Sequence, residues 1–193
     1  MRINKLLSNY GICSRTGANK LIEENRIIVN GVLCIKGQWV EEEDNILLDD
    51  KRIIEKHKIY IALNKPVGIT CTAEKTVASN IIDFMNYPEY IFPVGRLDKL
   101  SQGLILMTND GELANNILES KNEHEKEYIV TLNKSYSNSF IKGMSEGVQI
   151  CGVNTRPCKA FRISENSFRI ILTQGLNKQI RRMSKTFGYT VVR

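Results

Sequence analysis

The chain has 193 residues, 42% of them apolar, and a formal net charge of +6, which suits one large domain or a medium domain with a small appendage. It contains no run of about 18 apolar residues, and residues 1–7 are too polar for a secretory signal, so the sequence predicts a cytoplasmic protein without membrane contact. The positive charge favours a polyanionic partner, although a basic but unspecialised surface has the same charge balance.

The cysteines and histidines argue against a metal site and a disulfide framework. The five cysteines form no Cys-x-x-Cys pair and are odd in number, and His57 and His124 lie far apart in the chain. This pattern predicts free thiols in a reducing compartment and no bound metal.

Residues 1–48 predict a small module of two helices and a hairpin. Apolar spacing predicts a first helix over 2–9, and Ser14 is placed as the N-cap of a second helix that ends near residue 25. The dipeptide Asn30-Gly31 between β-branched runs is a strong hairpin signal. The polar segment 49–58 is predicted to be a linker that lets the module swing.

Positive charge is concentrated in this first module. Residues 1–40 carry six lysines or arginines against two glutamates, which is most of the excess of the whole chain. Such side chains bind phosphate groups without reading sequence, and a solvated helix face is the alternative. The cations predicted to contact RNA here are Arg2, Lys5, Arg15 and Arg26.

Residues 59–193 predict an α+β body around a mixed, largely antiparallel sheet. Helices are predicted at 76–85, after Gly111 to about Glu119, at 137–145 and at 177–187. Strands are predicted at 59–63, 91–94, 104–108, 127–132, 148–151, 158–163 and 168–173. The apolar run at 104–108 predicts a buried strand, which would hold the loop before it.

That loop contains Gly95-Arg96-Leu97-Asp98, followed by Ser101-Gln102-Gly103-Leu104. A carboxylate anchored beside a buried strand can be oriented and partly desolvated, as a catalytic carboxylate must be. The alternative is a structural aspartate that accepts backbone hydrogen bonds in the turn.

These segments resemble the motifs of the RsuA/RluB/RluE/RluF family of pseudouridine synthases. Besides 95–104, Lys126-Glu127-Tyr128 resembles the family's tyrosine motif and residues 175–183 resemble its third motif. Residues 1–48 resemble the small RNA-binding module first seen in ribosomal small-subunit protein four. The resemblance therefore covers essentially the whole chain, as a module at 1–48, a linker at 49–58 and a catalytic domain at 59–193.

The resemblance implies that a uridine is isomerised in place without metal or cofactor. Asp98 matches the catalytic aspartate, acting either as nucleophile or as base, and Arg181 matches the arginine that pairs with it and keeps it ionised. Tyr128 matches the tyrosine that stacks on the uracil or assists proton transfer, and Ile180 is expected to pack on the other side of the base. Phosphate contact for Arg181 and a simple core position for Tyr128 and Ile180 are the alternatives.

The same resemblance implies that the substrate is ribosomal RNA. Segments 124–128 and 141–148 favour its RluF group, which modifies a uridine in large-subunit ribosomal RNA, either free or in an assembling particle. A stacked uridine must be flipped out, and Arg96 is the candidate to replace the stacking contacts that are lost. The alternatives for Arg96 are a phosphate contact and a hydrogen bond that braces the loop. We expect the enzyme to act as a monomer. The further residues predicted to bind RNA are Lys65, Arg96, Lys178 and Arg182.

Two departures from the family pattern leave a second function open. Leu100 stands where relatives carry a polar or small residue, and the chain stops at Arg193 where relatives continue into final strands, so we expect those strands to be lacking. The alternative is a catalytically weak or inactive ribosomal RNA-binding protein that uses the module alone. A protein that only binds would need none of Asp98, Tyr128 and Arg181.

Overall fold

A computed structural model describes residues 1–74, 76–119 and 122–193. They form two compact units, Met1–Asn116 and Ile117–Arg193. The architecture is α+β, and every strand ladder among the described residues is antiparallel. The expected mixed sheet is thus replaced by separate antiparallel sheets, with one isolated parallel bridge between Thr70 and Asn80. No described helix is long and apolar enough to cross a membrane.

The first unit opens with two helices and a four-stranded sheet of order β2-β1-β3-β4. The helices are α1 (Ile3–Asn9) and α2 (Arg15–Glu23), and the strands are β1 (Ile27–Val29), β2 (Val32–Leu33), β3 (Ile46–Leu48) and β4 (Lys51–Arg52). The Ser14 side chain accepts a 3.0 Å hydrogen bond from the Gly17 amide, so the predicted N-cap is confirmed. Strands β1 and β2 are joined by Asn30 and Gly31, with φ of 52° and 82°.

The segment expected to be a linker takes part in this sheet. Residues 51–52, which form β4, pair with Leu47 and Leu48 of β3. The module encloses its own core, which includes Ile3, Leu6, Ile22 and Ile27.

The rest of the first unit is built on a three-stranded sheet of order β5-β7-β6. Its elements are β5 (Tyr60–Lys65), α3 (Ile81–Met85), β6 (Phe92–Val94), β7 (Gly103–Thr108) and α4 (Gly111–Leu118), the last of which continues to residue 118 in the second unit. Two predictions are corrected here. Helix α3 begins at Ile81 rather than at 76, because the Asn80 side chain caps it by accepting from the Asp83 amide. Strand β7 is not buried throughout, because alternation leaves Leu104 70% exposed while Ile105 and Met107 are buried.

The second unit packs helices against a three-stranded sheet of order β11-β12-β8. Its elements are β8 (Lys126–Thr131), α5 (Asn138–Glu146), β9 (Gln149–Ile150), β10 (Val153–Asn154), β11 (Lys159–Arg162), β12 (Ser167–Leu172) and α6 (Gln179–Thr186). The predicted apolar face of α5 is confirmed, since Phe140 and Met144 are buried in a core with Phe168, Ile170 and Met183. Strand β10, which pairs with β9, was not predicted.

Candidate active site

The residues predicted to act in catalysis are divided between the two units. Asp98 lies in the first unit, in the loop between β6 and β7. Tyr128, Ile180 and Arg181 lie in the second unit, on β8 and α6. Each unit therefore holds its own set of predicted site residues.

The Asp98 side chain is half-buried and sits in a loop with defined backbone contacts. Its own carbonyl oxygen accepts a 2.9 Å hydrogen bond from the Ser101 amide, which closes a turn around the carboxylate. The loop leaves β6 through Gly95, whose φ of 81° is readily adopted by glycine. The turn thus limits the orientations open to the carboxylate.

A second segment, residues 66–71, braces this loop on both sides of Asp98. The Gly68 amide donates to the carbonyl oxygen of Lys99 at 2.8 Å, immediately after Asp98. The Leu97 amide donates to the Cys71 sulfur at 3.4 Å, immediately before it. The aspartate is therefore flanked by two contacts to the same segment.

Lys65 holds the bracing segment and does not face solvent. Its side chain is 0% exposed, and its Nζ donates to the carbonyl oxygens of Pro66 at 2.8 Å and Ile69 at 2.9 Å. Burial lowers the pKa of this amine, while Cys71 and Asp98 act in the opposite direction. This burial argues against the predicted contact between Lys65 and RNA, because a buried ammonium is not presented to a phosphate group.

Sequence reasoning missed this internal role, although the strand contains a signal for it. In β5, burial alternates so that Ile61, Leu63 and Lys65 lie on the same, inward face. The lysine thus follows two apolar residues at the spacing of a buried strand face. The Pro66 that follows begins the turn whose carbonyl groups the amine binds.

Tyr128 occupies the middle of β8, opposite Ile170 of β12. It is half-buried and packs against the core of the second unit, on the same strand face as the buried Val130. Its sequence neighbours Glu127 and Ile129 are exposed on the other face. The ring is thus held by the core while part of it remains accessible.

Arg181 is placed by α6 and by the segment that follows that helix. Its Nη1 donates to the carbonyl oxygen of Val191 at 2.8 Å, and Val191 forms a bridge with Leu132 just beyond β8. A guanidinium has five N–H donors, so this bond is compatible with bidentate pairing to a carboxylate. Ile180 is half-buried against the core, and Met183 of the same helix is fully buried.

The remaining predicted RNA contacts of the second unit differ in exposure. Lys178 is exposed at the start of α6, in a left-handed conformation with φ of 50°. Arg182 is half-buried and donates to the Asn177 side chain at 3.0 Å, and it also contacts the Cys151 sulfur. Lys178 is thus the more accessible of these two cations.

In the first unit, Arg2, Lys5, Arg15 and Arg96 are exposed, as RNA contact requires. Arg26 is also exposed, but Asp49 engages it through Nε–Oδ1 at 2.8 Å and Nη2–Oδ2 at 2.5 Å. These hydrogen bonds raise the pKa of Arg26 and lower the pKa of Asp49. Contact between Arg26 and a phosphate would therefore require this pair to open.

No group of three or more histidine, cysteine, aspartate or glutamate side chains suited to a metal ion occurs within 1–74, 76–119 and 122–193.

Comparison with known proteins gives two family matches along the chain. The family described as "RNA pseudouridylate synthase" matches residues 59–186, and the S4 domain matches residues 1–46. The first match contains Asp98, Tyr128 and Arg181, and the second contains Arg2, Lys5 and Arg15.

Individual relatives cover almost the whole chain. The dual-specificity RNA pseudouridine synthase RluF of Salmonella typhi is 47% identical over 196 residues, which are 100% of this chain and 68% of that protein. Ribosomal large subunit pseudouridine synthase B of Bacillus subtilis is 30% identical, covering 100% of this chain and 82% of that protein. A crystal structure of a pseudouridylate synthase, 27% identical, superposes with a TM-score of 0.70 over 100% of this chain and 85% of the other.

Proposed function

Because the chain belongs to the RNA pseudouridylate synthase family, and so is an enzyme that converts uridine to pseudouridine in RNA, we propose that Asp98 is its catalytic carboxylate. The observation that carries this proposal is the pair of contacts around Asp98, from Gly68 to Lys99 and from Leu97 to Cys71. A side chain that must meet a reacting sugar or base needs such a restrained backbone. A carboxylate in an unbraced surface loop would have to be ordered at each turnover.

The reaction breaks the bond between ribose C1′ and N1 of uracil and forms a bond between C1′ and C5. The base stays on the same nucleotide, N1 gains a proton, and the hydrogen on C5 is released to solvent, so that atoms balance without a co-reactant. The carboxylate of Asp98 serves this exchange either as a nucleophile or as a base for a ribose proton.

Three residues of the second unit are proposed to take part in the same reaction. By its match to the family's arginine, Arg181 is proposed to act on the catalytic carboxylate through its guanidinium. Tyr128, half-buried on a core-held strand, is proposed to stack on the uracil or assist proton transfer. Ile180 packs against the base from α6.

The proposed substrate is large-subunit ribosomal RNA, and we place the reaction in the cytoplasm. The relative from Bacillus subtilis carries that substrate in its name, and the S4 match at residues 1–46 supports an RNA-binding module. Arg96, which is exposed two residues before Asp98, is proposed to occupy the space that the flipped uridine leaves.

Release of tritium from ribosomal RNA labelled at uridine C5 tests the proposal. We expect release by the wild type and a loss of at least about 1,000-fold in Asp98→Asn, with RNA affinity unchanged. Asp50→Asn is the matched control, because Asp50 is exposed and lies near the module's sheet, and it should release tritium normally. An active Asp98→Asn variant would refute the role of the carboxylate. Tight RNA binding without release by the wild type would instead favour the binding protein.

A further inference from the structure

Trp39, the chain's single tryptophan, is exposed although its backbone is firmly held. The residues on either side of Trp39 form hydrogen bonds with the N-terminal segment. The Ile3 amide donates to the Gln38 carbonyl oxygen at 2.9 Å, and the Val40 amide donates to the Met1 carbonyl oxygen at 2.8 Å. Trp39 itself forms an antiparallel bridge with Arg2, yet its side chain is 73% exposed. Its exposure is therefore built into the fold of the module.

The indole lines a shallow groove together with three cationic side chains. No acidic residue lines this groove, whose lining residues are Met1, Arg2, Asn4, Lys5, Arg15 and Trp39. Among the residues that the structure describes, no carboxylate lies within ion-pair distance of Arg2, Lys5 or Arg15. Arg26, in contrast, is paired with Asp49. The groove thus presents positive charge that the protein does not neutralise beside a large flat ring.

This combination matches a single-stranded polyanion whose bases are accessible. Aromatic rings stack on unpaired bases while neighbouring cations bind the phosphates. A regular duplex offers phosphates but keeps its base faces stacked inside, so it would leave the indole without a partner. A protein partner would have to be acidic and apolar at the same point.

We infer that Trp39 stacks on an unpaired base of the RNA substrate, with Arg2, Lys5 and Arg15 holding the adjoining phosphates. This inference rests on the proposed function, since it assigns a second recognition point on the same RNA, away from the uridine that reacts. Trp39 thereby makes the module selective for loops, bulges or single-stranded flanks. Phosphate contacts alone could not give this selectivity, because duplex RNA offers phosphate groups as well.

The single tryptophan provides a direct readout, because stacking on a base quenches indole fluorescence. The wild type is titrated with a single-stranded dodecamer of oligoadenylate and with a duplex of two complementary dodecamers, at the same salt concentration. We expect quenching by the single strand and little by the duplex. Equal quenching by both RNAs, or by neither, would overturn the inference.

Variants separate stacking from charge. Trp39→Ala should weaken binding of the single strand between about 5-fold and about 150-fold, the range for loss of one stacked base, with the salt dependence unchanged. Lys5→Ala should weaken binding of single strand and duplex alike and lower the salt slope by about 1. Ile35→Ala is the matched control, because Ile35 is a 70% exposed apolar side chain of the same module outside the groove. Affinity of Trp39→Ala equal to that of this control would refute the role of the indole.

Two further outcomes keep this inference distinct from the proposed function. With ribosomal RNA as substrate, Trp39→Ala should raise KM for tritium release and leave kcat unchanged, whereas failure of the proposed function would abolish release in the wild type too. An indole emission that already shifts with protein concentration before RNA is added would show that a second copy of the chain covers Trp39, and would overturn the inference. The quenching experiment needs no variant, so it stands even where Trp39→Ala folds poorly.

Discussion

Replacing Lys65 by methionine tests whether this lysine acts inside the protein or on RNA. The substitution keeps a long unbranched side chain but removes the hydrogen bonds to the carbonyl oxygens of Pro66 and Ile69. Two bonds from a charged donor contribute roughly 3–6 kcal/mol, at about 1.5–3 kcal/mol each. Part of this loss is offset, because the methionine variant no longer has the cost of burying an ion, which is several kcal/mol. We therefore expect Lys65→Met to lower the free energy of unfolding by about 1–3 kcal/mol.

The expected effect on activity follows from the contacts around Asp98. The turn that Lys65 holds contains Gly68, which bonds to Lys99, and it precedes Cys71, which accepts from Leu97. Loosening this turn displaces the carboxylate, and a misplacement of about 1 Å reduces the rate of a positioned reaction by about 100-fold. Because the amine does not reach the surface, RNA affinity and its salt dependence should remain unchanged.

Steady-state tritium release and urea unfolding measure the two effects, with Lys51→Met as the control at an exposed lysine of the same unit. A Lys65→Met variant with normal kcat but higher KM and a shallower salt slope would show that Lys65 binds RNA, and would refute the internal role.

The pH dependence of stability gives a second check on the internal role of Lys65. Because the pKa of Lys65 is lowered by burial, the unfolded chain holds this proton more tightly than the folded chain. The stability deficit of Lys65→Met should therefore grow as the pH rises towards the ordinary lysine value of 10.5.

Three stability predictions concern single packing or capping contacts and are measured by urea unfolding. Phe140→Ala should cost about 3–5 kcal/mol, because the ring is buried among four other aromatic rings, and a loss below about 1 kcal/mol would contradict that packing. Gly147→Ala should cost at least about 2 kcal/mol, because φ is 97° and a Cβ would lie 2.6 Å from a backbone oxygen. Gly152→Ala is the control, because Gly152 has a φ of 77° but no atom near the added Cβ, so that only the backbone is strained. It should lower the free energy of unfolding by less than Gly147→Ala does. Asp110→Ala should cost about 1 kcal/mol, because Asp110 caps α4 by accepting from the Leu113 amide, and Asp110→Asn should retain most of this. Burial raises the pKa of Asp110, but its hydrogen bonds outweigh burial, so that the pKa is lowered overall. The stability that the Asp110 cap contributes should therefore be present near neutral pH and be lost as the pH falls through that lowered pKa.

The parts of the fold that sequence predicted well are those with a local cause. Ser14 caps α2 and the apolar face of α5 is buried, because capping and helical periodicity depend only on nearby residues. Helix α3 was predicted to begin at residue 76, whereas the Asn80 side chain fixes its start at Ile81. The hairpin of β9 and β10 was missed because Cys151-Gly152 is not a usual turn pair, although both residues have positive φ.

Two cations of the candidate site have surroundings that the sequence prediction did not include. Arg26 is occupied by Asp49, 23 positions away, and charge counts do not show which cations have an internal partner. Lys65 is buried because β5 places it on the core face, although lysine is usually at the surface. The roles of Asp98, Tyr128 and Arg181 came from resemblance to a family and remain predictions, of which Asp98→Asn tests the first.

The N-terminal module also contacts the segment that leads into β5, which affects how its role can be tested. The Lys58 Nζ donates to the Asn9 carbonyl oxygen at 3.0 Å, and the Lys56 amide donates to the Tyr10 carbonyl oxygen at 3.0 Å. Tyr90, beyond α3, has a pKa raised by burial and is hydrogen-bonded to Ser8. The module therefore supports residues of the catalytic region, besides the RNA contacts proposed for it.

Deleting residues 1–48 should consequently weaken RNA affinity and also destabilise what remains. Loss of these contacts exposes part of the first unit, and we expect the unfolding temperature of the remaining chain to fall by about 5 °C or more. A variant with Arg2, Lys5 and Arg15 all changed to alanine removes the charge and keeps the contacts, so it should lose RNA affinity at fixed salt without a change in unfolding temperature. A deletion that unfolds at the same temperature as the full chain would show that these contacts contribute nothing to stability. Unchanged RNA affinity in the triple variant would contradict the binding role of the module, whatever the deletion does, since that variant alone separates charge from support.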